Sequence, residues 1–343
     1  MKLQVVNPLE TADWDHTVLS FKNYSFFHSQ AWGRILSESY GYKPSYFCWT
    51  VNDLYHQIAA VMEINSFITG RRGVSLPFTD ECEPLVHQVS ENHFFKDLIE
   101  YGQLSSWKTL ELRGLTFTPE NIPSSEIYLG HTLTLNPGVE FLYSGFRNTT
   151  KNNIKKALRK KLQIIFSNSY DSLKIFYRLN CLTRKRHGLP PQPFQFFHNL
   201  YKHIIHQEKG FIVLASYKEK IVAGIIVVHF GRRAILKYNA SDYVYKNLNA
   251  NYLLVWEIIQ HYVKNGFESL NFGRTNIHVP GLKEFKIGWG SKEYMIKYYK
   301  YNFRDKAFIS AQNKEFGFHN AIFRKLNLSL LKWIGEKLYK HVG

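Results

Sequence analysis

The second half of the chain has the clearest pattern of apolar and polar positions. Three segments, 211–217, 221–230 and 233–241, are rich in β-branched and aromatic residues, and short charged or glycine turns separate them. This pattern predicts three consecutive strands joined by tight turns. Apolar positions three and four residues apart then predict a helix over 251–264, which ends at Gly266.

Further elements are predicted on both sides of these three strands and the helix. A basic stretch and a short strand precede them, and two helices follow that strand, separated by the proline-rich breaker at 187–193. A short helix is predicted near Lys286. The complete predicted order is strand, two helices, three strands, helix, strand, short helix and strand, with the main segments at 163–167, 172–186, 194–207, 211–241, 251–264, 270–272 and 293–303.

The first half shows a weaker form of the same order. Strands are predicted at 3–6, 45–51, 57–65, 73–80, 107–113 and 126–135, and helices at 29–41 and 83–104. The Asn136-Pro137-Gly138 sequence predicts a domain boundary. The chain is therefore predicted to be an α/β protein with mixed sheets, divided into domains at 1–136 and 137–310 and a C-terminal amphipathic helical segment at 311–343.

Composition and charge narrow the functional classes. The chain has 343 residues, 45% hydrophobic and 21% charged, which is typical of a globular protein. Its net charge of +17 favours anionic partners such as phosphates, nucleic acid or an anionic membrane surface. The three cysteines have no metal-binding spacing, so no metal site is expected. Without a signal peptide or a spanning apolar run, the predicted location is cytoplasmic, with peripheral contact at the inner membrane face as the alternative.

Two segments concentrate the positive charge. Residues 151–161 hold six basic residues and no acid, which suits a surface for tRNA, a nucleotide-linked substrate or membrane phosphates, or simply a solvated helix end. Residues 316–340 interleave apolar side chains with lysine and arginine. That pattern indicates either an interfacial helix on anionic lipid or a helix packed onto a domain.

Short motifs along the chain resemble the FemABX-like branch of the GNAT acyltransferase superfamily, which includes the BioF2-like and FemAB-related proteins. They follow one another over roughly residues 29–290. The matching motifs are Ser29-Gln-Ala-Trp32, Ser75-Leu-Pro77 with Asp80, Asn153-Ile-Lys155-Lys-Ala157, Thr183 with Arg186, Ala223-Gly224, Tyr238 with Ala240-Ser241, Asn251 with Trp256, Phe272-Gly273-Arg274, and Phe285-Lys286 with Trp289-Gly290.

This resemblance implies two tandem GNAT-like domains and an acyl or aminoacyl transferase. The implied acceptor is an amino group on a cell-envelope precursor, such as a peptidoglycan peptide or an exopolysaccharide glycan. The donor is acyl-CoA or aminoacyl-tRNA, used as a co-substrate, with no tightly bound cofactor. The sequence has no long helical arm of the kind that often accompanies aminoacyl-tRNA use in this family, and its loop at 246–251 has no glycine.

Three residues are predicted to be catalytic. Amine attack on an activated acyl group needs a deprotonated amine, stabilisation of the oxyanion and a proton for the leaving group. The family pattern places Lys286 at the transfer site, where its charge suits the carbonyl oxygen; the alternative is a surface lysine. Tyr238 is a candidate for acceptor binding or proton transfer, or a packed sheet residue. Asp80 is a candidate for amine deprotonation, or a loop cap.

Five further residues are predicted to bind substrate. Arg186 and Arg274 suit anionic groups because guanidinium binds phosphate and carboxylate through two nitrogens. Phe285 is expected to line the pocket or to lie in the core. The resemblance adds Asn251 and Trp32, of which Trp32 also fits a packing role. The alternative function is a non-catalytic GNAT-like scaffold that binds anionic polysaccharide or a membrane surface.

Overall fold

The computed structural model describes residues 2–87, 93–115, 122–310 and 319–343. The helices are α1 Trp14–Leu19, α2 Gln30–Tyr40, α3 His93–Leu104, α4 Val139–Gly145, α5 Asn148–Arg159, α6 Tyr170–Arg186, α7 Phe194–Leu200, α8 Ala250–Lys264, α9 Pro280–Ile287, α10 His319–Lys325 and α11 Leu328–Val342. Short 3₁₀ turns lie at Phe26–His28 and Tyr243–Leu248, and a π-helical turn at Tyr201–Ile205.

The strands are β1 Lys2–Val6, β2 Lys43–Pro44, β3 Tyr46–Val51, β4 Leu54–Ala59, β5 Met62–Ser66, β6 Gly70–Val74, β7 Leu85–Val86, β8 Thr109–Arg113, β9 Glu126–Thr134, β10 Gln163–Ser167, β11 Gly210–Tyr217, β12 Lys220–Phe230, β13 Arg233–Ser241, β14 Ser269–Asn271, β15 Thr275–Asn276, β16 Lys292–Asn302 and β17 Ala307–Phe308. The helices separate several runs of consecutive strands, of which β2–β7 and β11–β13 are the longest.

The chain divides into two compact units. The first comprises Met1–Tyr128, Met295–Lys314 and Lys337–Gly343, and the second Leu129–Tyr294 and Glu315–Glu336. The predicted domain boundary at residue 136 falls within the second unit. Residues 319–343 of the predicted C-terminal segment form α10 and α11, which are separated near Asn327.

The first unit contains two sets of paired strands. Strands β1, β3, β4 and β7 form an antiparallel sheet in that order. In the other set, β2-β5-β6-β8-β16, the β6–β8 pair is parallel and the remaining pairs are antiparallel. The core between strands and α3 includes Phe47, Trp49, Phe94, Leu110 and Tyr299. The predicted mixed-sheet α/β class is confirmed.

The prediction of a single strand over 57–65 is wrong. β4 ends at Ala59 and pairs with β3, whereas β5 begins at Met62 and pairs with β6. Ala60 and Val61 between them are both buried. Because the chain stays apolar as it passes from one set of strands to the other, hydrophobicity alone gives no sign of the break.

The predicted helix over 83–104 is also too long. Leu85 and Val86 form β7, whose partners on β4 are Ile58 and Gln57, and α3 begins only at His93. Residues 88–92 of the prediction lie outside the described part of the chain. Pairing with a distant strand satisfies the backbone of β7, and local periodicity does not encode that pairing.

The second unit is built on a mixed sheet. Strands β10, β11, β12 and β13 are antiparallel neighbours, β14 pairs parallel with β13, and β9 pairs antiparallel with β14. The three strands predicted over 211–241 are confirmed. The β13–β14 pairing ends at Ile235 and Asn271, after which β13 continues to Ser241 while β14 leads into a turn.

Helices cover both faces of this sheet. On one face α8 packs with buried residues of β11, β12 and β13. On the other face α6 approaches closely, because a Cβ at Gly224 would lie 2.8 Å from Leu214 Cδ2 and 3.1 Å from Phe176 Cδ2. The Ala223-Gly224 motif therefore allows α6 to pack tightly on β12.

A register shift between β12 and β13 redirects one candidate side chain. Val227 pairs with Leu236, but the next pair is Ile226 with Tyr238. Leu236 packs into the core on the α8 face. The extra residue reverses the alternation, so Tyr238 lies on the opposite face, where its ring centroid is 5.2 Å from that of Phe197 on α7.

Candidate functional site

The turn after β14 is fixed by an amide side chain. Asn271 Oδ1 accepts a hydrogen bond of 2.6 Å from the backbone nitrogen of Gly273. Gly273 has φ of +69°, in the left-handed region that glycine adopts most readily. The Phe272-Gly273-Arg274 motif therefore shapes a turn that presents two consecutive carbonyl oxygens to α9.

Lys286 of α9 occupies the position that faces these carbonyls. Its side-chain nitrogen donates hydrogen bonds of 2.7 Å to Gly273 O and 3.0 Å to Arg274 O. The residue is only 5% exposed. A buried cation requires such partners, so Lys286 is a fixed positive charge beside the end of β14 and not a mobile surface lysine.

Close packing sets the position of α9. Its axis begins at Pro280, and a Cβ at Gly288 would lie 2.4 Å from Thr150 Oγ1 on α5. Trp289 is fully buried and its ring centroid lies 5.2 Å from that of Phe146. The Trp289-Gly290 end of the family motif thus anchors α9 and, with it, Lys286.

A polar cluster that the sequence did not predict lies next to Lys286. His131 Nε2 is 3.2 Å from Glu293 Oε2, and Lys283 Nζ is 3.0 Å from Glu293 Oε1. Because a carboxylate only accepts hydrogen bonds, Nε2 carries the imidazole proton and Nδ1 has the lone pair. Within the described part of the chain, this buried Nδ1 has no hydrogen-bond partner.

The cluster keeps His131 uncharged. Burial lowers the pKa of His131, and the nearby positive charge of Lys286 lowers it further, against the opposing effect of Glu293. The hydrogen bond from Lys283 lowers the pKa of Glu293. At neutral pH the arrangement is therefore a neutral imidazole between a carboxylate and a buried cation. A lone histidine among the 15 in the sequence gave no signal of this arrangement.

A cavity of about 260 Å³ opens at the start of α8. Three of the predicted substrate-binding residues, Arg186, Asn251 and Phe285, line it together. Val222 and Ala223 of β12 contribute apolar surface. Phe285, which lines the cavity, directly precedes Lys286 in the chain.

The polar rim of the cavity carries two cations on one aromatic ring. The guanidinium carbon of Arg186 is 5.0 Å, and the ammonium nitrogen of Lys246 4.6 Å, from the ring centroid of Tyr243. Cation–π contacts of this kind hold the side chains in place while their charge stays available to an anion. The rim also includes the first backbone amides of α8, where helix geometry favours negative charge.

The loop before α8 forms its left-handed turn without glycine. Asn249 has φ of +55° and ψ of +30° and immediately precedes the helix. Asparagine tolerates this conformation better than other non-glycine residues. The absence of glycine at 246–251 therefore does not prevent the loop from turning into the helix.

The remaining candidates lie elsewhere. Tyr238 donates a hydrogen bond of 3.0 Å to Gln192 Oε1 on the α7 face, so it does not line the cavity. Arg274 contributes its carbonyl to Lys286. In the first unit, Trp32 is fully buried against Phe26 and Phe27.

Asp80 ends a loop of the first unit with unusual backbone geometry. Leu76 and Phe78, on either side of Pro77, have φ of +50° and +59°. The hydroxyl of Tyr298 donates a hydrogen bond of 2.7 Å to the backbone oxygen of Asp80. Left-handed conformations at two bulky residues are costly, and such strain is found most often at functional sites.

Within the described residues, no group of three or more His, Cys, Asp or Glu side chains is arranged to hold a metal ion. Within the same ranges, no helix has the length and apolar character needed to cross a membrane.

Known proteins resemble both the sequence and the fold. Residues 144–290 match the family described as acetyltransferase (GNAT) domain. The crystal structure of FemX is 12% identical and has a TM-score of 0.67, with 87% of this chain and 97% of that chain covered. The C-terminal DUF2156 domain of a putative lysylphosphatidylglycerol synthetase from Agrobacterium fabrum is 11% identical, with a TM-score of 0.53 and coverage of 84% and 91%.

A tandem GNAT protein from the clavulanic acid biosynthesis pathway is 9% identical, with a TM-score of 0.52 and coverage of 88% of this chain and 99% of that chain. No curated protein matches the sequence. Residues 144–290, which contain both the cavity and Lys286, therefore form a GNAT-type acetyltransferase domain. More particularly, the predicted fold of two tandem GNAT-like domains is confirmed, and FemX shares this fold.

Proposed function

We propose that the protein transfers an acyl or aminoacyl group to an amino group on a cell-envelope or exopolysaccharide precursor. The observation that carries this proposal is the cavity lined by Arg186, Asn251 and Phe285 within the GNAT-matched region, where Phe285 directly precedes the buried Lys286 in the chain. The envelope acceptor rests on the FemABX-like resemblance.

The cavity suits a phosphate-bearing donor. Arg186 and Lys246 supply two positive charges at its rim, and the start of α8 adds backbone amides. Acyl-CoA carries a pyrophosphate, and aminoacyl-tRNA carries phosphodiesters near its acylated end. The same cations therefore serve either donor, with the acyl group directed along Phe285.

The reaction is acyl transfer to nitrogen. The amine attacks the carbonyl carbon, a C–N bond forms, and the C–S bond of a thioester or the C–O bond of an ester breaks. The amine gives up a proton, and the leaving sulfur or oxygen receives one. The fixed charge of Lys286 favours the transition state because negative charge develops on the carbonyl oxygen.

The acceptor is proposed to bind on the face of the sheet where Tyr238 meets α7. The pairing of β13 and β14 ends at Ile235 and Asn271, and the acceptor is proposed to bind near these strand ends. Tyr238 lies on the α7 face and offers its phenol to the acceptor. Arg274 is the proposed contact for an acidic group of the acceptor. The role of Asp80 in amine deprotonation stays a prediction for the first unit, and the full burial of Trp32 against Phe26 and Phe27 favours its packing role.

Donor consumption tests this function. Purified protein would be incubated with acyl-CoA or charged tRNA and with amino sugars or envelope peptides, and released thiol or labelled product would be measured. Replacing Arg186 and Lys246 by glutamine is expected to raise the donor KM about tenfold for each lost charge. Lys264→Gln, at the exposed end of α8, is the matched control and should leave the donor KM unchanged.

The two donors give different results. Thiol release without tRNA identifies acyl-CoA, whereas product formed only with charged tRNA identifies an aminoacyl transferase. If neither donor is consumed and Lys286→Ala leaves the cellular phenotype intact, the transferase proposal fails and the scaffold alternative replaces it.

A further inference from the structure

The C-terminal helices expose apolar side chains to solvent within the second unit. Ile322 of α10 is 44% exposed, and Leu330 and Trp333 of α11 are 40% and 56% exposed. Leu330 and Trp333 are three residues apart and so share one side of α11. We name Leu330 and Trp333 the C-terminal apolar surface.

Positive charge accompanies this surface. Residues 319–343 hold five cations, Arg324, Lys325, Lys332, Lys337 and Lys340, against one acid, Glu336. Arg324 and Lys325 are exposed at the end of α10. An aromatic anchor with aliphatic neighbours and flanking cations is the side-chain set that binds the interface of an anionic bilayer.

The opposite sides of both helices are packed tightly. Leu331 is fully buried. A Cβ at Gly335 would lie 2.1 Å from Pro191 O, and one at Gly188 would lie 2.1 Å from Asn320 O. The helices are therefore held against the 187–193 loop, and their exposed side chains face outward because the inner positions are occupied.

We propose that the C-terminal apolar surface binds the headgroup region of an anionic lipid bilayer. Charge favours lipid over a second copy of the chain, because a two-fold interface would bring identical cationic patches together. The apolar content favours lipid over nucleic acid, which binds charged and hydrogen-bonding side chains. The inference does not depend on the transfer activity.

Helix α5 provides the comparison that separates lipid anchoring from simple charge attraction. Its exposed side carries Lys155, Lys156, Arg159 and Lys160, and none of these has an ion-pair partner within the described ranges. Leu158 of α5 is also exposed, at 53%, but the helix has no aromatic side chain. Charge alone would thus recruit anionic vesicles through α5, whereas anchoring requires Trp333 and Leu330.

The experiment is vesicle co-sedimentation with the full chain. Vesicles of equal parts phosphatidylglycerol and phosphatidylcholine are compared with pure phosphatidylcholine. The wild type is expected to bind only the anionic vesicles, and the Trp333→Glu/Leu330→Gln double variant to lose about tenfold or more in partitioning. Phe141→Gln replaces an exposed phenylalanine of α4 and should bind like the wild type.

Further variants separate the competing explanations. Arg324→Gln/Lys325→Gln should weaken binding, whereas Lys155→Gln/Lys156→Gln should leave most of it. Circular dichroism and gel filtration show whether each variant remains folded, and Trp333→Phe supplies a milder change if Trp333→Glu/Leu330→Gln does not fold. Equal binding by the apolar variants and the wild type overturns the proposal. Self-association of the wild type that is lost in Trp333→Glu also overturns the proposal, because it would assign the surface to a second copy of the chain.

Discussion

The side-chain nitrogen of Lys286 lies 2.7 Å from the carbonyl oxygen of Gly273, to which it donates a hydrogen bond. This contact ties α9 to the turn that follows β14. It also fixes a positive charge where β13 and β14 separate, because the same nitrogen bonds Arg274 O at 3.0 Å. The lysine thus has a structural role in addition to the proposed catalytic one.

Lys286→Met is expected to reduce transfer about 100-fold, the effect typical of removing one preorganised transition-state donor. It should also lower the free energy of unfolding by about 1–3 kcal/mol, since two carbonyls lose their donor. Steady-state kinetics and urea unfolding measure the two effects. Lys292→Met, at an exposed position, is the control. A variant that loses stability but keeps kcat would remove Lys286 from the chemistry.

Asn249 should tolerate glycine but not a β-branched residue. Its φ of +55° is easy for glycine, whereas valine there is expected to cost about 1–2 kcal/mol. Because Asn249 lines the cavity, Asn249→Val should also weaken donor binding, while Asn249→Gly should retain it. Thermal unfolding and donor titration provide the measurements. Equal stability of the two variants would contradict the proposed role of backbone conformation.

Tyr238→Phe tests the acceptor side of the sheet. The change removes a hydrogen bond of 3.0 Å to Gln192 and is expected to cost about 1 kcal/mol of stability. If the phenol binds the acceptor, the KM for the acceptor rises while that for the donor does not. Gln192→Ala removes the same hydrogen bond but keeps the phenol, so similar kinetics in both variants would argue against direct acceptor contact.

The first unit should lose stability in mild acid through His28. Burial lowers its pKa from 6.5 to about 4, because the charged imidazole is desolvated. Between these values the unfolded chain binds more protons than the folded one, so the free energy of unfolding falls as pH falls. From pH 7 to pH 5 the expected loss is about 2 kcal/mol.

Urea unfolding at both pH values measures this loss. His28→Gln should reduce the pH dependence, whereas His16→Gln, at an exposed position, should not. An unchanged pH dependence in His28→Gln would assign the acid sensitivity to other groups.

Sequence pattern was most informative where local signals agreed. Strands β11, β12 and β13 are rich in β-branched and aromatic residues and are separated by turn residues, and their positions followed directly. The pattern failed at Ala60 and Val61, where an apolar run continues across a break, and at Leu85 and Val86, where pairing with β4 replaces the predicted helix.

The candidate site was predictable only in part. Motif resemblance identified Arg186, Asn251 and Phe285, which the structure brings together at one cavity. The side of the sheet that Tyr238 occupies depends on a register shift, which no single-strand pattern reveals. The His131–Glu293 contact joins residues 162 positions apart, so it arises from the fold and not from any local motif.

The close contacts at Gly188 and Gly335 have a further consequence. They fix the C-terminal helices to the same loop that supplies Gln192 to Tyr238. If Trp333 holds the protein on a lipid bilayer, the 187–193 loop therefore keeps a constant orientation relative to that bilayer. An acceptor confined to the same surface would then be found by a search in two dimensions, which raises its effective concentration without any change in intrinsic affinity.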